Sequence, residues 1–210
     1  MGRAEGSEVI PFKTVCLALP ERVDRSREHF KAMGVDASFF IGINAQKVGL
    51  ETKNPYEVDG GKGCGFNMGP KHVGIYIGHR MLWSALLLFP DERFLILEGD
   101  AQFGADWSAR TQKALVDVPP DWDALFIGSC CAENRPKTYV RGEIWEVKWP
   151  MCGHAYMVTR AGLQKLITLT DAQPCYAPMD IHLTFHCFPK MRIYTMLPRA
   201  VAQFDTGIEP

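Results

Sequence analysis

The sequence has no excess of charge of either sign. Its 23 Lys and Arg residues stand against 24 Asp and Glu, a formal net charge of −1 at pH 7. That removes any global electrostatic argument for binding nucleic acid or an anionic membrane. Two local basic groupings, Lys71 and His72 with His79 and Arg80, and Lys190 with Arg192, read as ordinary solvated charge. Long apolar runs are missing as well. The longest, 85–90, is far too short to span a bilayer. Residues 1–11 are polar, carry Glu5 and Glu8, and have no apolar core of a secretory signal. No CxxC pair occurs, which disfavours a zinc knuckle or a dithiol redox motif. No internal repeat, linker or low-complexity tract interrupts the chain. Together these absences lead to the expectation of a soluble, cytoplasmic protein with no integral membrane segment and no nucleic-acid partner.

What remains is ordinary globular material. Of 210 residues, 47% are apolar and 22% charged, which suits one domain over 1–210 with a sizeable core. The seven cysteines, an odd number in mostly apolar surroundings, read as free thiols in a reducing compartment. The run KTVCLAL at 13–19 is β-branched and apolar and reads as a buried strand closed by Pro20. A helix is expected over 21–33, ended by Gly34, and a second strand over 36–43. This β-α-β opening predicts an α/β domain, a mostly parallel central sheet with helices on both faces. Further helices are expected over 71–89, 107–116, 161–169 and 180–186. Strands are expected over 93–97, 123–127, 154–158 and 192–196, with a hairpin over 138–148. Residues 47–70 are rich in glycine and poor in apolar anchors. They read as a loop, long enough either to close over a ligand or to be a plain surface insertion.

The clearest chemical signal is the end of the most apolar strand. RFLIL at 93–97 runs directly into Glu98-Gly99-Asp100. Open α/β sheets bind ligands beyond the carboxyl ends of their strands. Residues 98 and 100 of an extended chain face the same way. Two such carboxylates suit a hard divalent cation whose other ligands are water and diphosphate oxygens. The competing reading is a strand end that merely turns into a loop.

Several segments, in order, resemble glycosyltransferase family 25, the lipopolysaccharide-biosynthesis type. They are VCLALPERVDRSREHFKAMGV, FFIGINA, GHRMLWSAL, FLILEGDAQF, GHAYMVTRAGLQKLI, PMDIHL and LPRAVAQ. The resemblance spans nearly the whole chain. It implies a GT-A-like nucleotide-sugar-binding fold, a UDP-sugar donor, a divalent metal (manganese), and a glycan or other hydroxyl acceptor. It places Leu19, Arg22, Arg25, His79, Glu98, Gly99 and Asp100 at the donor, with Glu98 and Asp100 as metal ligands. His154 and Asp180 become the candidate catalytic residues. Inverting transfer needs a base opposite the leaving group, and Asp180 in the Pro-x-Asp segment is the first choice. Two positions depart from the family pattern. Gly99 stands where the family has aspartate, which predicts a weakened metal site that Gly99→Asp would tighten. Gly78 stands where the family has serine.

Each candidate also has a plain structural reading. His79 on an apolar helix face suits a hydrogen-bonded core histidine, Asp180 suits a helix cap, and Arg22 and Arg25 suit exposed surface. Trp83, Trp107, Trp122 and Trp149 read as core rather than sugar platforms. The function expected is hexose transfer, of galactose or glucose. The alternative is a catalytically silent sugar- or nucleotide-binding module of the same fold. A metal-dependent phosphohydrolase is a distant third, because no further acidic cluster supports it.

Overall fold

The computed structural model of the chain describes residues 12–49, 69–130, 132–172 and 177–204. Most of the glycine-rich loop at 47–70 therefore lies outside the described residues. Among the described residues ten strands and five α-helices follow one another: β1 (Lys13–Ala18), α1 (Val23–Ala32), β2 (Ser38–Ile41), α2 (Pro70–Leu86), β3 (Arg93–Glu98), β4 (Ala101–Phe103), α3 (Trp107–Asp117), β5 (Ala124–Cys130), β6 (Lys137–Arg141), β7 (Ile144–Val147), β8 (Met151–Thr159), α4 (Arg160–Asp171), α5 (Met179–His186), β9 (Ile193–Met196) and β10 (Val201–Gln203).

Eight strands form one sheet in the order β2-β1-β3-β8-β5-β9-β7-β6, and β10 pairs with β4 in a separate ribbon. Six of the eight run in one direction. Only β8 and β7 oppose them, since β8 is antiparallel to both β3 and β5, and β7 to both β9 and β6. The sheet is thus mostly parallel in strand direction, as expected, with an antiparallel strand at its centre. Side chains alternate across it with the period of two that a pleated strand imposes. Cys16, Ala18, Leu95, Leu97, Leu125, Ile127, Ala155 and Met157 face one core, where Phe30 of α1 and Trp107 of α3 cover them. Val15, Leu17, Phe94, Ile96, Phe126, Tyr156 and Val158 face the other, beneath Trp83 of α2, Leu163 of α4 and Leu183 of α5. Helices therefore lie on both faces, which explains why β1 and β3 read as continuous apolar runs.

The structure departs from the sequence reading in three places. Cys130 and Cys152 form a disulfide, their Cα atoms 5.5 Å apart, so the thiols are not all free; Cys16 is free and buried, and Cys187 is buried. Trp149 is 38% exposed rather than core. The β4–β10 ribbon, three residues on each side, was not anticipated. Among the described residues no helix is long and apolar enough to cross a membrane.

Candidate active site

The carboxyl ends of β1 and β3 meet the start of α1. The Gly99 N–H donates to the Leu17 carbonyl at 3.0 Å, and its carbonyl accepts from Ser26 Oγ at 2.7 Å. This holds the turn after β3 against α1. Arg22 reaches Asp100 Oδ2 at 3.5 Å, and Gln203 of β10 donates to the same oxygen at 3.2 Å. Arg22 and the Glu98-Gly99-Asp100 turn are thus brought together, with the Arg22 N–H donating to the Leu19 carbonyl at 2.9 Å. Arg25 lies a turn further along α1, its guanidinium 5.0 Å from the Phe204 ring.

Glu98 is backed by a buried polar chain. Its Oε1 lies 3.0 Å from His79 Nε2; His79 Nδ1 lies 3.1 Å from the Tyr156 hydroxyl, which accepts from Trp83 Nε1 at 2.8 Å. Indole nitrogen only donates and an ionised carboxylate only accepts. One arrangement satisfies every hydrogen: Trp83 to Tyr156, Tyr156 to His79 Nδ1, and His79 Nε2–H to Glu98. His79 has no exposed surface, so it orients Glu98 from behind rather than facing a ligand. Burial alone would raise the Glu98 carboxyl, but the His79 hydrogen bond and nearby positive charge, Lys71 included, hold it below its usual value. Asp100 goes the other way, raised by burial and then by the negative charge of Glu98.

A cavity of about 360 Å³ opens beside Glu98, within the size range of small-molecule sites. Lys71 and His72 at the start of α2, Cys152 and Gly153 of β8, Asp180 of α5 and Gln203 line it with Glu98. Asp180 is held by two backbone donors: Cys152 N–H to Oδ2 at 3.1 Å and Ile181 N–H to Oδ1 at 2.9 Å. Each oxygen keeps a further lone pair for a ligand. Simple strand alternation does not place Asp100 with Glu98 here. The strand stops at Glu98, residues 99 and 100 turn, and Asp100 meets the cavity only through Gln203. His154 is fully buried, its Nε2 bound to the Val201 carbonyl at 3.1 Å, and it is not among the cavity-lining residues. Lys71, His72, Cys152 and Gln203 were not singled out as site residues. Only Gln203 carried a signal, as the last residue of LPRAVAQ.

The donor set can be tested for a divalent cation. No group of three or more His, Cys, Asp or Glu side chains that could hold a metal occurs among the described residues. Asp100 Oδ1, however, is buried with no hydrogen-bond partner among the described residues, an expensive state for a carboxylate. Glu98 in the cavity wall and Asp100 behind Gln203, with its orphaned oxygen, are ligands of the type a hard cation takes when phosphate and water supply the rest.

No family model matches the chain. An Aedes aegypti protein described as a glycosyltransferase 25 family member is 21% identical over 160 residues, covering 70% of this chain. The chain spans 26% of that relative's length. A crystal structure of a glycosyltransferase involved in the glycosylation of the major capsid of PBCV-1 matches with a TM-score of 0.53 at 14% identity, over 93% of this chain and 95% of the other. The fold is therefore the GT-A-like one expected from the sequence, shared over nearly the whole chain.

Proposed function

We propose, from the premise that this chain resembles glycosyltransferase family 25 in sequence and a glycosyltransferase in fold, that it transfers a hexose, galactose or glucose, from a UDP-sugar to a hydroxyl of a glycan or other acceptor, with inversion. The observation that carries this reading is the cavity beyond β3, into which Glu98 and Asp180 open from opposite elements. Glu98 and Asp100 would hold a divalent cation, manganese by family resemblance, which when bound neutralises charge on the diphosphate. Arg22 and Arg25, with Leu19 at the end of β1, would receive the nucleotide. Asp180 takes the acceptor proton, because its carboxylate is fixed by Cys152 and Ile181 and faces the cavity. His154, buried against β10, serves the packing of that ribbon.

The departure at Gly99 and the absence of a third ligand side chain among the described residues favour one second reading, a binding module that holds the nucleotide sugar without transferring it. UDP-hexose turnover, with and without manganese, separates the two. The proposal expects metal-dependent donor binding by calorimetry and transfer or slow donor hydrolysis. It expects Asp180→Asn to lower the rate about a hundredfold or more with UDP binding retained. Binding without turnover under every donor and metal condition leaves the silent module. Unchanged turnover in Asp180→Asn removes Asp180 from the chemistry.

A further inference from the structure

Cys152 is the only described non-glycine residue with positive φ, at 62°. This left-handed conformation is unfavourable for a side chain that lacks a local hydrogen-bonding group. It is held from two sides. The disulfide to Cys130, 22 residues earlier, ties it to the end of β5, where pairing with β8 is irregular. Its own N–H, turned by that conformation, donates to Asp180 Oδ2 at 3.1 Å. Cys152 also lines the cavity, and Cys130 Sγ lies 3.8 Å from Oε1 of cavity-lining Gln203.

We infer that the Cys130–Cys152 disulfide makes Cys152 a positioning residue: it locks the backbone in the conformation that aims an N–H at Asp180 and so fixes the carboxylate in the cavity. The inference rests on the role proposed above for Asp180. With the tether intact, the left-handed residue has no freedom to relax to an extended conformation. With the tether opened, relaxation swings the N–H away and leaves Asp180 with Ile181 alone. Opening takes two electrons and two protons. A dithiol supplies them, closing to its own cyclic disulfide as Cys130 and Cys152 become thiols.

The competing account is that the bond only restrains the unfolded chain. Two double variants separate the accounts, because both lack the bond and differ in backbone preference. Glycine adopts positive φ freely and serine does not. Positioning predicts that Cys130→Ser with Cys152→Ser loses turnover at least tenfold at saturating donor, with little change in KM, and that Cys130→Ser with Cys152→Gly recovers most of that loss. Equal loss in both, or loss in neither, overturns the inference. A second measurement needs no turnover: hydrogen exchange at the Cys152 amide by NMR, in the folded protein before and after dithiol reduction. Exchange should accelerate at least tenfold on reduction, and unchanged exchange overturns the inference. Should the oxidised parent turn over no UDP-hexose, the proposed function fails, and amide exchange alone decides whether the disulfide holds Asp180.

Discussion

A Cβ added at Gly99 would lie 3.0 Å from the Ala18 Cβ and 3.3 Å from Ser26 Oγ. The side of residue 99 thus faces Ala18 of β1 and Ser26 of α1. From sequence alone Gly99→Asp was expected to tighten metal binding; the structure reverses that expectation. Gly99→Asp should leave manganese-dependent UDP binding unimproved and cost about 1–3 kcal/mol of stability through crowding. Calorimetry with UDP and a melting curve check both halves, and tighter binding with a parent-like melt would refute the reversal. A different residue is expected to contribute to acid sensitivity. His182 is 2% exposed, packs against Tyr76 and His186, and has a buried Nε2 with no partner among the described residues. Burial, with the charge of His186, pushes it down to about 4. The folded state thus resists a proton that the unfolded state accepts from an ordinary value near 6.5. Stability should fall as pH drops from about 6.5 to about 4, since the unfolded chain binds more protons there. His154, lowered mainly by burial, contributes in the same sense. His182→Leu should flatten the fall in melting temperature between pH 7.5 and 4.5, and an equal fall in both proteins would show that His182 does not control it.

Helix α2 shows what periodicity reveals and what it hides. At helical spacing Ile75, His79, Leu82 and Leu86 fall on one side, and His79, Leu82 and Leu86 are buried. Ile75 instead lines the cavity, and the buried face is completed by Gly74, Gly78 and Trp83. No hydrophobicity pattern marks a glycine as buried, so this close face was illegible. A Cβ at Gly74 would stand 2.5 Å from the Ile43 carbonyl oxygen, an immovable backbone atom, whereas one at Gly78 would press on the flexible end of Leu17 at 3.3 Å. Gly74→Ala should therefore cost about 1–3 kcal/mol. Gly78→Ala should melt near the parent, because a gain of roughly 1 kcal/mol in helix propensity offsets mild crowding. Melting curves that rank the two alike would contradict this packing account. The same limit explains β5. Its apolar part at 123–127 was readable, but its last residues, Gly128, Ser129 and Cys130, carry no strand signature. They are held by β8, with register shifts after Phe126 and Gly128.

At the scale of the molecule, the two covered faces and the predominance of one strand direction were legible, since helices alternate with buried apolar strands and leave few other solutions. The β6–β7 hairpin was legible because Gly142-Glu143 is a local turn signal. The placement of β8 between β3 and β5 was not, because no local rule states which distant edges a strand will join. The candidate site divides the same way. Glu98 and Asp100 stood out as carboxylates at the end of an apolar strand, whereas Asp180 was singled out by the family resemblance of its Pro-x-Asp segment. Cys152 and Lys71 reach the cavity only through long-range packing, and the disulfide follows from the proximity of β5 and β8. The central position of β8 also bears on synthesis. β3 ends at residue 98 and β5 at 130, but the strand that bridges them comes only at 151–159, and the second neighbour of β5 only at 193–196. A nascent chain that has emerged through β5 thus carries three strand edges still waiting for a partner, one on β3 and two on β5, a state prone to pairing with other chains. The sheet closes like a book bound from a late page: its two halves become one object only once residues 151–159 have emerged, and any pause before β8 prolongs the interval in which they are separate.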